Sequence, residues 1–184
     1  MRKVIASINM TLDGFCDHTS AIADDELHAH FNDALCSAGV LLYGRTTYQL
    51  MESYWPTVVK NPTGNQPIDE FAVLLENIPK ILFSRTLKSV DWTNVTLAKG
   101  DLPDEVLALK QQPGKDIYLG SPSLIAALTR HGLIDEYHLC VHPIIAGKGL
   151  RLFKDIDDMA TLKLIKTKAL KAGQLALYYE AVRK

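Results

Sequence analysis

The sequence predicts an α/β protein: a three-layer α/β/α arrangement around a mostly parallel mixed sheet that ends in an antiparallel C-terminal β-hairpin. Three observations carry this. Short apolar runs rich in β-branched residues recur at 4–8, 40–43, 81–83, 117–119 and 137–145. The middle three are continuous rather than alternating, as strands buried on both faces are. Stripes of helical spacing lie between them, and residues 162–182 break that rhythm.

Taken in order, 4–8 is the first strand. Leu27, Phe31 and Leu35 then recur every four residues behind Asp24, Asp25 and Glu26, an acidic start suited to a helix N-terminus. The strand at 40–43 feeds a helix through Gly44, with Thr46 or Thr47 as the expected cap. Ile68, Phe71, Leu75 and Ile78 form a second stripe closed by Pro79, after a loop at 61–67 that reads as a mobile rim. Ser121, Pro122 and Gly132 frame a third helix carrying Leu124, Ile125 and Leu128. Residues 162–170 and 175–182 make the hairpin around a turn holding Gly173. No linker or repeat divides the chain, so residues 1–184 are expected to form one domain.

Composition narrows the function. Formal net charge is -1 with 47% apolar residues, which gives no reason to expect a nucleic-acid or membrane partner. No window approaches a membrane-spanning length, and Asn9 and Asp13 interrupt the first apolar run too early for a signal peptide. Cys16, Cys36 and Cys140 are widely spaced and form no CxxC pair. A reducing cytoplasmic location is the expectation.

In open α/β sheets, ligands bind beyond the carboxyl ends of the strands. Three strand ends here carry suitable residues. Gly44-Arg45-Thr46-Thr47 offers a tight turn, free helix N–H groups and a bidentate anion donor. Ser84-Arg85 repeats the hydroxyl-plus-Arg pattern, and Gly120-Ser121-Pro122-Ser123 is a further strand–Gly–helix junction. Each has an ordinary reading as a turn with a solvated Arg. Neither GxGxxG nor GxxxxGK[ST] is present. Arg rather than an acid at two strand ends favours a 2′-phosphate, hence NADP over NAD. Asn9, Thr11 and Asp13 close the first strand, either as a simple Asp-Gly turn or at the mouth of the cleft beside substrate.

These stretches, with Thr11-Leu12-Asp13-Gly14, Leu133-Ile134-Asp135-Glu136-Tyr137 and Gly147-Lys148-Gly149-Leu150-Arg151-Leu152-Phe153, resemble the dihydrofolate-reductase-like superfamily. The likeness is greatest to the reductase domain of bacterial riboflavin biosynthesis and runs in order across nearly the whole chain. It implies that Gly44, Arg45, Thr46 and Thr47 hold the phosphates of NADP and that Ser84 and Arg85 lie near its 2′-phosphate. Gly120, Ser121, Ser123 and Leu124 would wrap the pyrophosphate, with Asn9 and Asp13 near the nicotinamide. A homodimer is also implied.

The expected activity is hydride transfer from NADPH to a small pterin- or pyrimidine-like heterocycle or a carbonyl compound. The alternative is a catalytically silent NADP-binding module acting as a sensor or assembly partner. Asp13 is the first candidate for proton donor and Glu26 the second. The carboxylate of folate-reducing members would fall near His28, with Asp25 and Glu26 reachable only by a small gap. Both acids also read as plain helix-start charges. Trp55, placed at a helix end before the loop, would either pack or stack on substrate. His28 and His30 read as a solvent-facing pair. His138, Cys140 and His142 share one strand face at a spacing too wide to favour a metal. Cys140 or Val141, by register, would line the cleft.

Overall fold

The computed structural model describes residues 1–156 and 158–182. Its strands are β1 (Val4–Thr11), β2 (Ala38–Gly44), β3 (Lys80–Phe83), β4 (Val95–Leu97), β5 (Asp116–Leu119), β6 (Glu136–His142), β7 (Leu162–Ala169) and β8 (Leu175–Ala181). Its helices are α1 (Asp25–Ser37), α2 (Arg45–Glu52), α3 (Trp55–Lys60), α4 (Gln66–Asn77), α5 (Leu102–Gln111) and α6 (Pro122–Arg130). The strands form one sheet in the order β4-β3-β2-β5-β1-β6-β8-β7. Pairing is parallel from β4 to β6, then antiparallel through β8 and β7. The predicted mixed sheet with its terminal hairpin is therefore present.

The continuous apolar runs are explained by where alternate residues go. Val4, Ala6, Ile8, Val40, Leu42, Ile117 and Leu119 pack on Val106 and Leu109 of α5 and Leu124, Ile125 and Leu128 of α6. The residues between them, Ile5, Leu41, Tyr43 and Tyr118, pack on Leu35 of α1, Tyr48 of α2 and Leu75 of α4. Both faces are covered, so both sets must be apolar.

Several local expectations are corrected. The cap of α2 is Gly44, without a side-chain hydrogen bond, and Thr46 and Thr47 lie inside its first turn. Ser121 occupies the N-cap of α6, yet its hydroxyl makes no cap bond. The loop before α4 ends at Asn65, which caps the helix by accepting from Ile68 N, so Gln66 and Pro67 are already helical. Trp55 opens the short α3 instead of ending a helix, because Pro56 suits a first turn. Strand β6 stops at His142, before Pro143, which has no N–H to continue a ladder. Strand β4 and helix α5 were not anticipated.

At the amino ends of the central strands, polar groups fasten sheet to helix. Asp135 accepts from Val4 N at 2.8 Å and from the ammonium of Lys110 on α5. The Lys110 side chain is only 6% exposed. Removing the acid leaves a buried cation and a strand N–H without that acceptor. We expect Asp135→Ala to cost about 3 kcal/mol of stability in urea unfolding, and Lys110→Met in the same background to recover most of the loss.

Candidate active site

Strands β2 and β5 are parallel neighbours, and β5 also pairs with β1. Their carboxyl ends therefore open on one cleft, and helices α2 and α6 start side by side at it. Gly44 N donates to the wholly buried Ser121 Oγ at 2.9 Å. The hydroxyl expected to cap α6 instead joins the two turns, leaving the first-turn N–H groups of both helices free of side-chain caps. A Cβ on Gly44 would lie 3.2 Å from Ser123 Oγ, and one on Gly120 would lie 3.0 Å from the backbone oxygen of Ser7. The floor is thus held at backbone level, with two helix N-termini aimed across it. That arrangement suits an anion such as a pyrophosphate.

Gly44, Arg45, Thr46, Thr47, Gly120, Ser123 and Leu124 all line this cleft. Arg45 Nη1 donates to Thr86 Oγ1 at 3.0 Å, bridging the ends of β2 and β3, and Arg85 stands at the same rim. Ser84 does not reach the cleft. Its Oγ accepts from Thr86 N at 3.3 Å and Leu87 N at 3.0 Å, shaping the turn that presents Arg85.

The other end of the cleft is apolar and aromatic. Leu27 and Phe31 of α1, Leu50 and Met51 of α2, Trp55 and Phe71 face it. Trp55 and Phe71 have ring centroids 4.6 Å apart, so packing and availability to a ligand coexist at Trp55. His28 also lines this end, 6.3 Å from Trp55 and 6.0 Å from Phe71 between centroids. His30 is buried against Phe31 and Tyr178. The pair is therefore not solvent-facing.

Asn9 lines the cleft through a chain of bonds that fixes its polarity. Ile22 N donates to His142 Nδ1 at 3.0 Å. A backbone N–H can only donate, so Nδ1 carries the lone pair and the neutral ring bears its proton on Nε2. That N–H then faces Asn9 Oδ1 at 2.9 Å. The Asn9 amide NH2 is left as the group for the cleft. Burial lowers the pKa of His142, which favours this neutral form. Local sequence gave no signal for this role, since it needs β6 paired beside β1, with Thr11 opposite His142.

Three expected site residues serve the scaffold instead. Thr11 is fully buried, and its Oγ1 accepts from Phe15 N and donates to Asp13. Asp13 accepts from Thr11 Oγ1 at 2.6 Å, Ala146 N at 3.0 Å and Gly147 N at 2.7 Å. The Thr11 hydroxyl, with the two backbone donors, holds its pKa down to about 2. An acid kept ionised in this way ties a loop and is a poor proton donor. Glu26 accepts from Lys171 N at 2.6 Å in the β7–β8 turn and does not line the cleft. Cys140 packs with Leu27 and Leu170, and Val141 packs against the core on the opposite face, so neither lines it.

A family model described as the RibD C-terminal domain matches residues 2–176. The chain is 33% identical to Uncharacterized protein YyaP of Bacillus subtilis, over 97% of this chain and 94% of that one. A pyrimidine reductase-like protein from Corynebacterium diphtheriae has the same fold, with TM-score 0.67, 17% identity and coverage of 100% and 93%. Dihydrofolate reductase from Enterococcus faecalis, solved with NADP(H), matches at TM-score 0.64 and 13% identity, over 97% and 96% of the two chains.

The ionised form of Asp13 is the one that accepts the loop amides. Its folded pKa lies below the ordinary 3.8, so this stabilisation is present above 3.8 and is lost as pH falls toward about 2. We expect Asp13→Asn to speed amide hydrogen exchange at Ala146 and Gly147 at neutral pH while leaving the β1 core protected.

Proposed function

We propose that this chain, which belongs to the RibD C-terminal domain family, reduces a small heterocyclic or carbonyl substrate with NADPH. The observation that carries this reading is the paired opening of α2 and α6 onto one glycine-floored cleft, with Arg45 and Arg85 on its rim. The first-turn N–H groups after Gly44 and Ser121 would hold the pyrophosphate. Arg45 and Arg85 would hold a 2′-phosphate, which NAD lacks. When bound, the dinucleotide supplies a hydride, a two-electron donor that no side chain can replace.

The chain's own residues supply position and polarity. The Asn9 amide N–H, oriented by His142, is a donor for a carbonyl or an unprotonated ring nitrogen at the end of β1. Trp55 and Phe71 wall the space where a flat ring would stack, and the apolar side chains of α1 exclude water from it. No helix among the described residues is long and apolar enough to cross a membrane. Cys16, Cys36 and Cys140 are all unpaired, in keeping with the proposed cytoplasmic location. The family resemblance supports a homodimer, which light scattering would test.

Titration followed by nucleotide fluorescence tests the cofactor. Wild type should bind NADPH more tightly than NADH. Arg45→Ala and Arg85→Ala should each weaken NADPH about 10- to 100-fold, equivalent to ~1.5–3 kcal/mol per charge-assisted contact, and leave NADH little changed. Absence of NADPH binding at millimolar concentration overturns the reading. Binding without turnover of any pterin, pyrimidine or carbonyl compound returns the silent NADP-binding module.

A further inference from the structure

Reduction of a C=N or C=O bond needs a proton as well as a hydride. Asp13 and Glu26 are both engaged outside the cleft. Among the titratable groups that do line it, Cys16 donates to Leu150 O at 3.2 Å and is pushed up to about 11 by burial. Asp17 accepts from Leu150 N at 2.7 Å. Tyr43 and Tyr118 are pushed up by burial, Tyr118 to about 12. His18, on a one-turn 3-10 helix, and Asp155 both sit exposed.

His28 differs from all of these. Its Nδ1 lies 2.9 Å from Asp24 O, a carbonyl that can only accept, so Nδ1 carries a proton in both charge states of the ring. Nε2 has no hydrogen-bond partner among the described residues. It is the ring nitrogen left for a ligand. The imidazole is half-buried and stands edge-on beside the packed pair of Trp55 of α3 and Phe71 of α4. Charged neighbours on the elements packed here are occupied. Asp24 caps Leu27 N, Asp25 accepts from Asn65 Nδ2, and Glu70 of α4 accepts from Asn32 Nδ2.

The cations of the cleft wall are segregated from this end. Arg45, Arg85, Arg130, Arg151 and Lys154 come from the rim and from the α6 side, and none comes from α1, α3 or α4. Among the described residues no Lys or Arg of the lining stands on these elements to meet a phosphate, whereas the exposed side of the packed aromatic pair suits a flat uncharged ring.

We propose that His28 is the proton donor of this site, and that the substrate presents a neutral planar ring whose reducible C=N or C=O bond reaches His28 Nε2. This rests on the reductase reading above and specifies its substrate end. The acceptor carbon takes a hydride from the reduced nicotinamide dinucleotide, and the π-electron pair moves onto nitrogen or oxygen. That atom takes the proton from Nε2–H, leaving a neutral imidazole that regains its proton from solvent. The substrate is reduced by two electrons and the dinucleotide oxidised by two.

The test has two arms, both using 3,4-dihydroisoquinoline as a neutral bicyclic imine probe. In 15N NMR of histidine-labelled protein, the neutral ring of His28 should carry its proton on Nδ1. Millimolar probe should shift the Nε2 resonance and quench fluorescence in wild type but not in Trp55→Leu. A neutral ring protonated on Nε2, or no response to the probe, overturns the proposal. In the second arm NADPH oxidation is followed from about pH 5.5 to 8.5, the range in which imidazole titrates. The rate should fall as pH rises, because only a protonated imidazole can give up a proton from Nε2. His28→Gln should be about 100-fold slower or more, with a flat profile and unchanged NADPH affinity. A His28→Gln enzyme that keeps the wild-type profile overturns the role, as does wild type that binds NADPH without reducing the probe. Failure to bind NADPH sinks the cofactor reading instead, and the NMR arm still decides the His28 assignment.

Discussion

The bond from Gly44 N to the buried hydroxyl of Ser121 joins residues 77 positions apart and sets the geometry on which the rest depends. A strand-to-helix turn alone points one helix end at solvent. Two such turns, on the adjacent parallel strands β2 and β5, bring two ends to one place. Parallel pairing supplies the adjacency, the hydroxyl fixes the separation, and glycine keeps side chains off the shared floor. The orientation of Asn9 follows the same logic one strand further along, at the end of β1. The site belongs to the sheet order more than to any single motif.

Much of the fold was legible in the sequence because apolar periodicity reports burial directly. The β2 and β5 runs are continuous since both faces are covered, and α1, α4 and α6 carry complete stripes with caps or stops. Strand β4 escaped because it has three residues at an edge, and α5 because its core contacts come down to Val106 and Leu109, with Lys110 also buried. The end of α2 and start of α3 escaped because Pro56 signals a stop and a start equally well.

The candidate site divides along the same line. Residues whose role is set by their own turn, such as Gly44, Arg45 and Gly120, could be found locally. Residues whose role is set by a distant partner could not. Asp13 looks like a free carboxylate until Ala146 and Gly147 are folded over it, and Glu26 until Lys171 arrives. His142 looks like one member of an alternating trio until Ile22 and Asn9 take its two nitrogens. Sequence displays a titratable group but not what occupies it.

The bonds from the β7–β8 turn to the head of α1 have a consequence for biosynthesis. Lys171 N reaches Glu26, and Gln174 Nε2 reaches Ile22 O, the residue whose N–H sets the His142 tautomer. Strand β8 also inserts between β6 and β7, so this edge of the sheet closes only when residues 175–181 are present. While the chain is still on the ribosome, the turns after β2 and β5 emerge well before the wall carrying His28 is fastened. If those turns hold the dinucleotide proposed above, a nascent chain would offer cofactor its place before substrate had one.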